Sequence, residues 1–146
     1  MQGKDKKKQK KKNDILCSYL VRQRAIKLVG GCQRCLTLKF DKTKEDGSIL
    51  PAYKQLHWAH YRRRALISVR WNEDNSAGLC PGCHLYLDDE SHGKEAFFKQ
   101  YLGETKFQMV NIAAQGVTKT DYFLTELYIR QKISELRLDT EEAFKK

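Results

Sequence analysis

No apolar run in this sequence approaches the ~20 residues needed to cross a bilayer, so no membrane span is expected. Nothing apolar follows the charges of the N-terminal MQGKDKKKQKKK, and without such a stretch the segment does not read as a secretory signal. No internal repeat is present, and no low-complexity segment outside the N-terminal lysine run. Acidic residues are almost missing from the first twelve positions, where one aspartate faces seven lysines. Cysteine is used sparingly: there are five, and four of them stand in two C-x-x-C pairs, a poor fit to a secreted disulfide framework. A reducing compartment, the cytoplasm, is expected, with metal binding as the use of the paired thiols.

What is present suits one folded unit. A chain of 146 residues with 40% hydrophobic residues holds one compact domain with or without a tail, but not two full domains. The formal charge of +10 is uneven, with +6 in the first twelve residues and +4 in the remainder. That balance points to a polyanionic partner, nucleic acid, and the lysine run by itself offers nothing to bury. Residues 1–13 are therefore expected to be a disordered Lys-rich tail, residues 14–93 a core with a leading helix, and residues 94–146 a helical extension packed on the same domain.

The apolar spacing from Ile15 to Val29 predicts an amphipathic helix, capped by Asn13 or Asp14 and ended by Gly30-Gly31. Cys17 lies inside it, as a small core residue. Leu36–Phe40, Tyr53–Tyr61 and Val69–Trp71 read as strands, residues 41–50 as a surface loop and Asn72–Asn75 as a turn. A helix opens near Leu79 and runs through Leu87. Three more are predicted at Glu95–Leu102, Lys106–Ala114 and Asp121–Leu138, the last placing Phe123, Leu124, Leu127, Tyr128, Ile133 and Leu136 on a stripe expected to pack into the core. His92 falls in a polar turn and reads as surface.

Cys32-x-x-Cys35 and Cys80-x-x-Cys83 each allow one tight turn to aim two sulfurs at a single ion, and two such turns complete a four-thiolate Zn2+ site. The 44 intervening residues exceed ordinary ribbon spacing. The ion is thus expected to clamp the base of an inserted unit, a useful staple in so small a domain. A closed four-cysteine site has no open position for substrate, so this zinc is structural.

The inserted segment, residues 57–88, reads HWAHYRRRALISVRWNEDNSAGLCPGCHLYLD. Its ordered His60, Asn75 and His84, with nine residues from Asn75 to His84 and C-x-x-C pairs on both sides, resemble the HNH (ββα-metal) nucleases. Ala59-His60-Tyr61, Arg70-Trp71…Asn75 and Cys80…His84 are similar to elements of the phage branch related to the NinG recombination proteins. That likeness runs from about residue 15 to 136 and includes Phe98–Glu104. The resemblance implies an α+β fold, a small zinc-clamped ββα-metal core with flanking helices. It further implies endonucleolytic hydrolysis of DNA with one Mg2+ or Mn2+ ion, leaving 5′-phosphate and 3′-hydroxyl ends. The setting it implies is phage recombination, replication or packaging in the cytoplasm of an infected or prophage-bearing bacterium, with a second copy or another phage protein as a further partner. Asn75, in this resemblance, braces the loop and orients the catalytic histidine.

The residue types support that chemistry independently. Phosphodiester hydrolysis needs an activated water, a cation on the developing charge and positive groups on the backbone. His60 suits the proton acceptor, being able to stay neutral near pH 7. His84 and Asp88, four apart on one helix face, suit the catalytic ion. The position before His60, a metal ligand in many HNH enzymes, is Ala59, which cannot ligate; His57 shares its strand face and is the replacement. Arg63, Arg64 and Arg70 are expected on DNA phosphates, with no base-edge readout. The rival expectation is a non-catalytic zinc-finger DNA-binding protein with a degenerate site. A third is an adaptor that binds protein through the last helix.

Overall fold

A 27-residue helix, α1 (Gly3–Val29), forms the spine of the computed structural model, which describes residues 3–117 and 119–146. Residues 4–29 contain neither Gly nor Pro, and Lys, Gln, Leu and Arg are good helix formers. Gly30, at φ +72°, ends the helix in the left-handed conformation that glycine adopts without a Cβ penalty. The expected disordered tail is thus corrected for residues 3–13, which are helical, and Asn13 and Asp14 lie inside the helix rather than capping it. The reason is a polar stripe. Gln9 Nε2 donates to Asn13 Oδ1 and to Glu126 Oε1, both at 2.9 Å, and Asn13 Nδ2 donates to the Tyr122 carbonyl at 2.9 Å. These bonds dock the lysine-rich turns on α6 (Tyr122–Glu135) without burying a lysine head.

Beyond α1, the expected strand at Leu36–Phe40 reduces to one bridge, Gly31 with Leu38. The expected loop at 41–50 carries a two-residue ladder, β1 (Lys42–Thr43) with β2 (Ile49–Leu50). The strand expected at Tyr53–Tyr61 is confined to β3 (His57–His60), because Ala52–Gln55 forms a 3₁₀ turn. At Val69–Trp71 the expected strand is instead a single helical turn, α2 (Ile67–Arg70). β4 (Ser76–Leu79) pairs antiparallel with β3, placing His57 opposite Leu79 and His60 opposite Ser76. It leads into α3 (Pro81–Asp89), whose second cysteine turn opens with a proline at N1, where the missing N–H costs nothing. α4 (Ser91–Leu102), α5 (Glu104–Ala113), α6 and a 3₁₀ turn at Thr140–Phe144 complete the described chain, with Asp121 capping α6 through the Phe123 and Leu124 amides. No helix of the described residues is long and apolar enough to span a membrane.

Two apolar clusters flank the β3–β4 ribbon. One joins Ala25 of α1 to Leu56, Ala59, Ala77, Leu79, Leu87, Phe98 and Phe107, together with Cys32 and Cys83. The other joins Leu16, Tyr19, Leu20 and Val21 of α1 to Tyr53, Trp71, Ile129 and Ile133. Cys17 is fully buried in the second, as expected of a small core residue. Between them, α1 and β4 approach so closely that a Cβ on Gly78 would lie 2.7 Å from the Ala25 methyl. The stripe on α6 requires correction. Ile129 and Ile133 are buried, but Phe123, Leu124, Leu127 and Tyr128 are 47–61% exposed, because the inward side of the helix is Glu126, Ile129 and Ile133.

Candidate functional site

The two cysteine pairs meet at one point. All four sulfurs lie within 4.8 Å of one another, and Cys35 Sγ to Cys80 Sγ is 3.8 Å. A tetrahedron with Zn–S bonds of 2.3 Å has edges of about 3.8 Å, so the spacing and the soft donor set both fit zinc. The first knuckle closes when the Leu36 amide donates to the Cys32 carbonyl at 2.9 Å, with Leu36 forced to φ +62°. It is tied to the second by Gln33, whose backbone N–H reaches the Gly78 carbonyl and whose Oε1 accepts from the Gly78 amide. Arg34 Nη1 donates to Cys83 Sγ at 3.3 Å, and Cys35 Sγ sits 3.1 Å from the Thr37 hydroxyl. That hydroxyl lowers the Cys35 thiol to about 6, whereas burial pushes Cys83 up to about 12. Gln33, Arg34 and Thr37 are contributors that sequence reading overlooked, although a basic residue inside C-x-x-C is a readable signal for an offset to thiolate charge.

A second group lies one residue beyond the last cysteine. His84 Nδ1 and His57 Nδ1 are 3.0 Å apart, and His84 Nε2 is 3.4 Å from Asp88 Oδ2. Burial lowers the His84 pKa against the opposing pull of Asp88, which favours a neutral ring with one nitrogen lone pair for a cation. Two cis ligands at about 2.1 Å from an octahedral ion stand about 3.0 Å apart, so the imidazole pair fits such an ion. Lys94, 3.3 Å from Asp88, lies at the edge of this group. His92 is exposed, as expected, although it lies in the first turn of α4 rather than in a polar turn.

His60 and Trp58 occupy the other side of β3 from His57 and Ala59. His60 is only 7% exposed, stacked 4.2 Å from the Trp58 ring, with Nε2 3.2 Å from the Arg70 carbonyl. A carbonyl can only accept, so Nε2 carries the proton and Nδ1 is left as the acceptor. Burial, helped by Arg64 and Arg70, lowers its pKa to about 4. The structure thus gathers His57, His84 and Asp88 and sets His60 apart from them across the strand. Ala59 is 3% exposed in the core.

Asn75 closes the segment between the two strands. Its fully buried amide accepts from Arg62 N–H at 2.8 Å and donates to the Arg62 and Val69 carbonyls, while its own carbonyl accepts from Tyr61 N–H. The arginines divide. Arg70 is committed to Asp14, with Nε and Nη2 at 2.8 and 2.7 Å from its two oxygens, and Trp71 Nε1 also donates to Asp14 at 2.8 Å. Burial raises the Asp14 carboxyl, but these hydrogen bonds outweigh it and hold the group below the usual range. Arg70 is therefore a tie between α1 and α2 rather than an open phosphate ligand, whereas Arg63 and Arg64 lie exposed beside it. Asp14 is the residue most underrated in the sequence, where it looks like a helix cap.

Comparison with protein-family models, with curated proteins and with solved structures finds no match for this chain.

Proposed function

We propose that the chain is a metal-dependent endonuclease of HNH type that hydrolyses DNA phosphodiester bonds. The observation that carries this reading is the unit itself: β3, a connection shut by Asn75, β4 and α3 in direct succession, with histidines on strand and helix and four cysteines at its base. His84 and His57 would hold, through their Nδ1 atoms, Mg2+ or Mn2+, which supplies positive charge to the phosphoryl oxygens when bound; Asp88, expected as a third ligand, instead faces His84 Nε2 and orients the ring. His60 lies across β3 from these ligands; it is neutral at pH 7 with Nε2 on the Arg70 carbonyl, which leaves Nδ1 as the atom we assign to accept the proton of the attacking water. Arg63 and Arg64 bind non-bridging phosphate oxygens; the Arg70 side chain, paired with Asp14 and donating to the Arg64 carbonyl, fixes the turn whose Arg70 carbonyl orients His60. The Cys32, Cys35, Cys80 and Cys83 zinc keeps α3 against the ribbon and performs no chemistry.

The non-catalytic reading, a zinc module that binds DNA, has one observation in its favour: buried Ala59 offers no ligand beside His60. Incubating zinc-loaded protein with supercoiled plasmid and branched DNA, with and without Mg2+ or Mn2+, separates the two. The nuclease reading expects nicked products with 5′-phosphate ends only when the divalent ion is added. DNA retained but never cut, with either ion, supports the binding module.

A further inference from the structure

Lys4, Lys7 and Lys11 are all exposed and follow one another at steps of three and four, which places them on a single stripe of α1. The next position on that stripe is Asp14, the residue that Arg64 approaches at 3.5 Å. At 1.5 Å per residue the line from Lys4 to Asp14 is about 15 Å long. A B-form strand presents one phosphate per 3.4 Å of axis, so this line passes about four phosphates.

The stripe is electrostatically strained on its own. Seven lysines stand in the first turns of a helix whose N-terminal end is already positive, with repulsive pairs three and four apart and only Asp5 to oppose them. Gln9 and Asn13, bonded to α6, hold these turns rigid against that repulsion. Lys12 is drawn aside to Glu126, and Lys6 lies over the Tyr122 ring, so both belong to the packing with α6 rather than to the open stripe. A local conflict kept in place by specific polar contacts marks a surface shaped for a ligand, and the ligand that removes this conflict is a polyanion.

We propose that Lys4, Lys7 and Lys11, continued by Arg64, form a rigid rail for the phosphate backbone of duplex DNA, leading it to the loop beside His60. The proposal rests on the DNA reading above and adds the substrate form and its track: double-stranded, gripped by one face of a fixed helix, without regard to sequence. A flexible lysine tail would give affinity from charge count alone, whereas a rail depends on which lysines remain and on the helix that carries them.

The test is fluorescence anisotropy with a labelled 24-base-pair duplex across a salt series, without added Mg2+ or Mn2+, beside plasmid nicking by the same preparations. The rail variant is Lys4→Gln/Lys7→Gln/Lys11→Gln. Its control, Lys27→Gln/Lys42→Gln/Lys44→Gln, removes three exposed lysines away from these turns, so both fall by three from the charge of +10. Gln9→Pro keeps every lysine but interrupts the helix in its second turn. The rail variant is expected to bind on the order of ten-fold or more weakly, with a salt slope shallower by about 2–3. The control should stay within about three-fold of wild type, and Gln9→Pro should lose affinity like the rail variant. Equal losses in rail and control variants, unchanged binding by Gln9→Pro, or no duplex binding by wild type would each overturn the rail. Nicking by wild type with binding indifferent to the stripe defeats the rail alone. Stripe-dependent binding without nicking supports the rail and defeats only the nuclease.

Discussion

Asn75 is a small side chain with a large share of the loop's geometry, since one buried amide satisfies the Arg62 amide and the Arg62 and Val69 carbonyls. Asn75→Ala strands those groups and is expected to cost about 2–4 kcal/mol in urea unfolding at pH 7. Asn75→Asp should cost more, because a carboxylate then faces two carbonyl oxygens. His60 makes stability depend on pH with a definite sign. Its folded pKa of about 4 lies below the unfolded value near 6.5, so the unfolded chain takes up the proton first as pH falls. The stability contributed is complete above pH 6.5 and is lost between 6.5 and 4, on the order of 3 kcal/mol. Asp14 adds a second loss at lower pH, as its depressed carboxyl titrates below the unfolded value near 3.9. Unfolding wild type and His60→Gln at pH 7 and pH 5 isolates the first effect: wild type should weaken more, and equal changes in both would refute the assignment. Glutamine keeps a donor for the Arg70 carbonyl without the titration.

At the scale of elements, the contact between α1 and β4 is the tightest in the ribbon. Gly78→Ala puts a methyl 2.7 Å from the Ala25 methyl on rigid backbone, and overpacking of this kind costs about 1–3 kcal/mol. A thermal melt should show the loss, and the pair Gly78→Ala/Ala25→Gly should recover part of it. The cysteine knuckles, the helical character of residues 95–113 and the strand core at His57–His60 were legible, because each rests on local spacing or local propensity. The helix over residues 3–13 was not, since its docking stripe is Gln9 and Asn13, and hydrophobic periodicity is blind to amides. The turn at Ile67–Arg70 looked like a strand because Val and Trp favour strands, but Asn75 and Asp14 fold it back. For α6 the period was readable and the direction was not: Ile129 and Ile133 face α1, leaving Phe123 and Leu127 outside.

For the whole molecule, Cys32 and Cys83 belong to the same apolar cluster as Leu79, Leu87 and Phe98, so the four-cysteine cluster and the core are one unit. Elemental analysis is expected to give one zinc per chain, and chelation or Cys80→Ser should unfold the ribbon and α3 cooperatively, since zinc binding supplies about 10–16 kcal/mol in small zinc domains. Circular dichroism during titration with a chelator follows this directly; full native signal in zinc-free protein would contradict it. The central claim is that His60 accepts a proton during DNA hydrolysis, and the most direct measurement is the single-turnover nicking rate of wild type and His60→Ala at saturating plasmid and Mn2+. A fall of about 10²–10⁴-fold, with zinc content and DNA affinity retained, is the predicted result; equal rates in the two proteins would contradict the account.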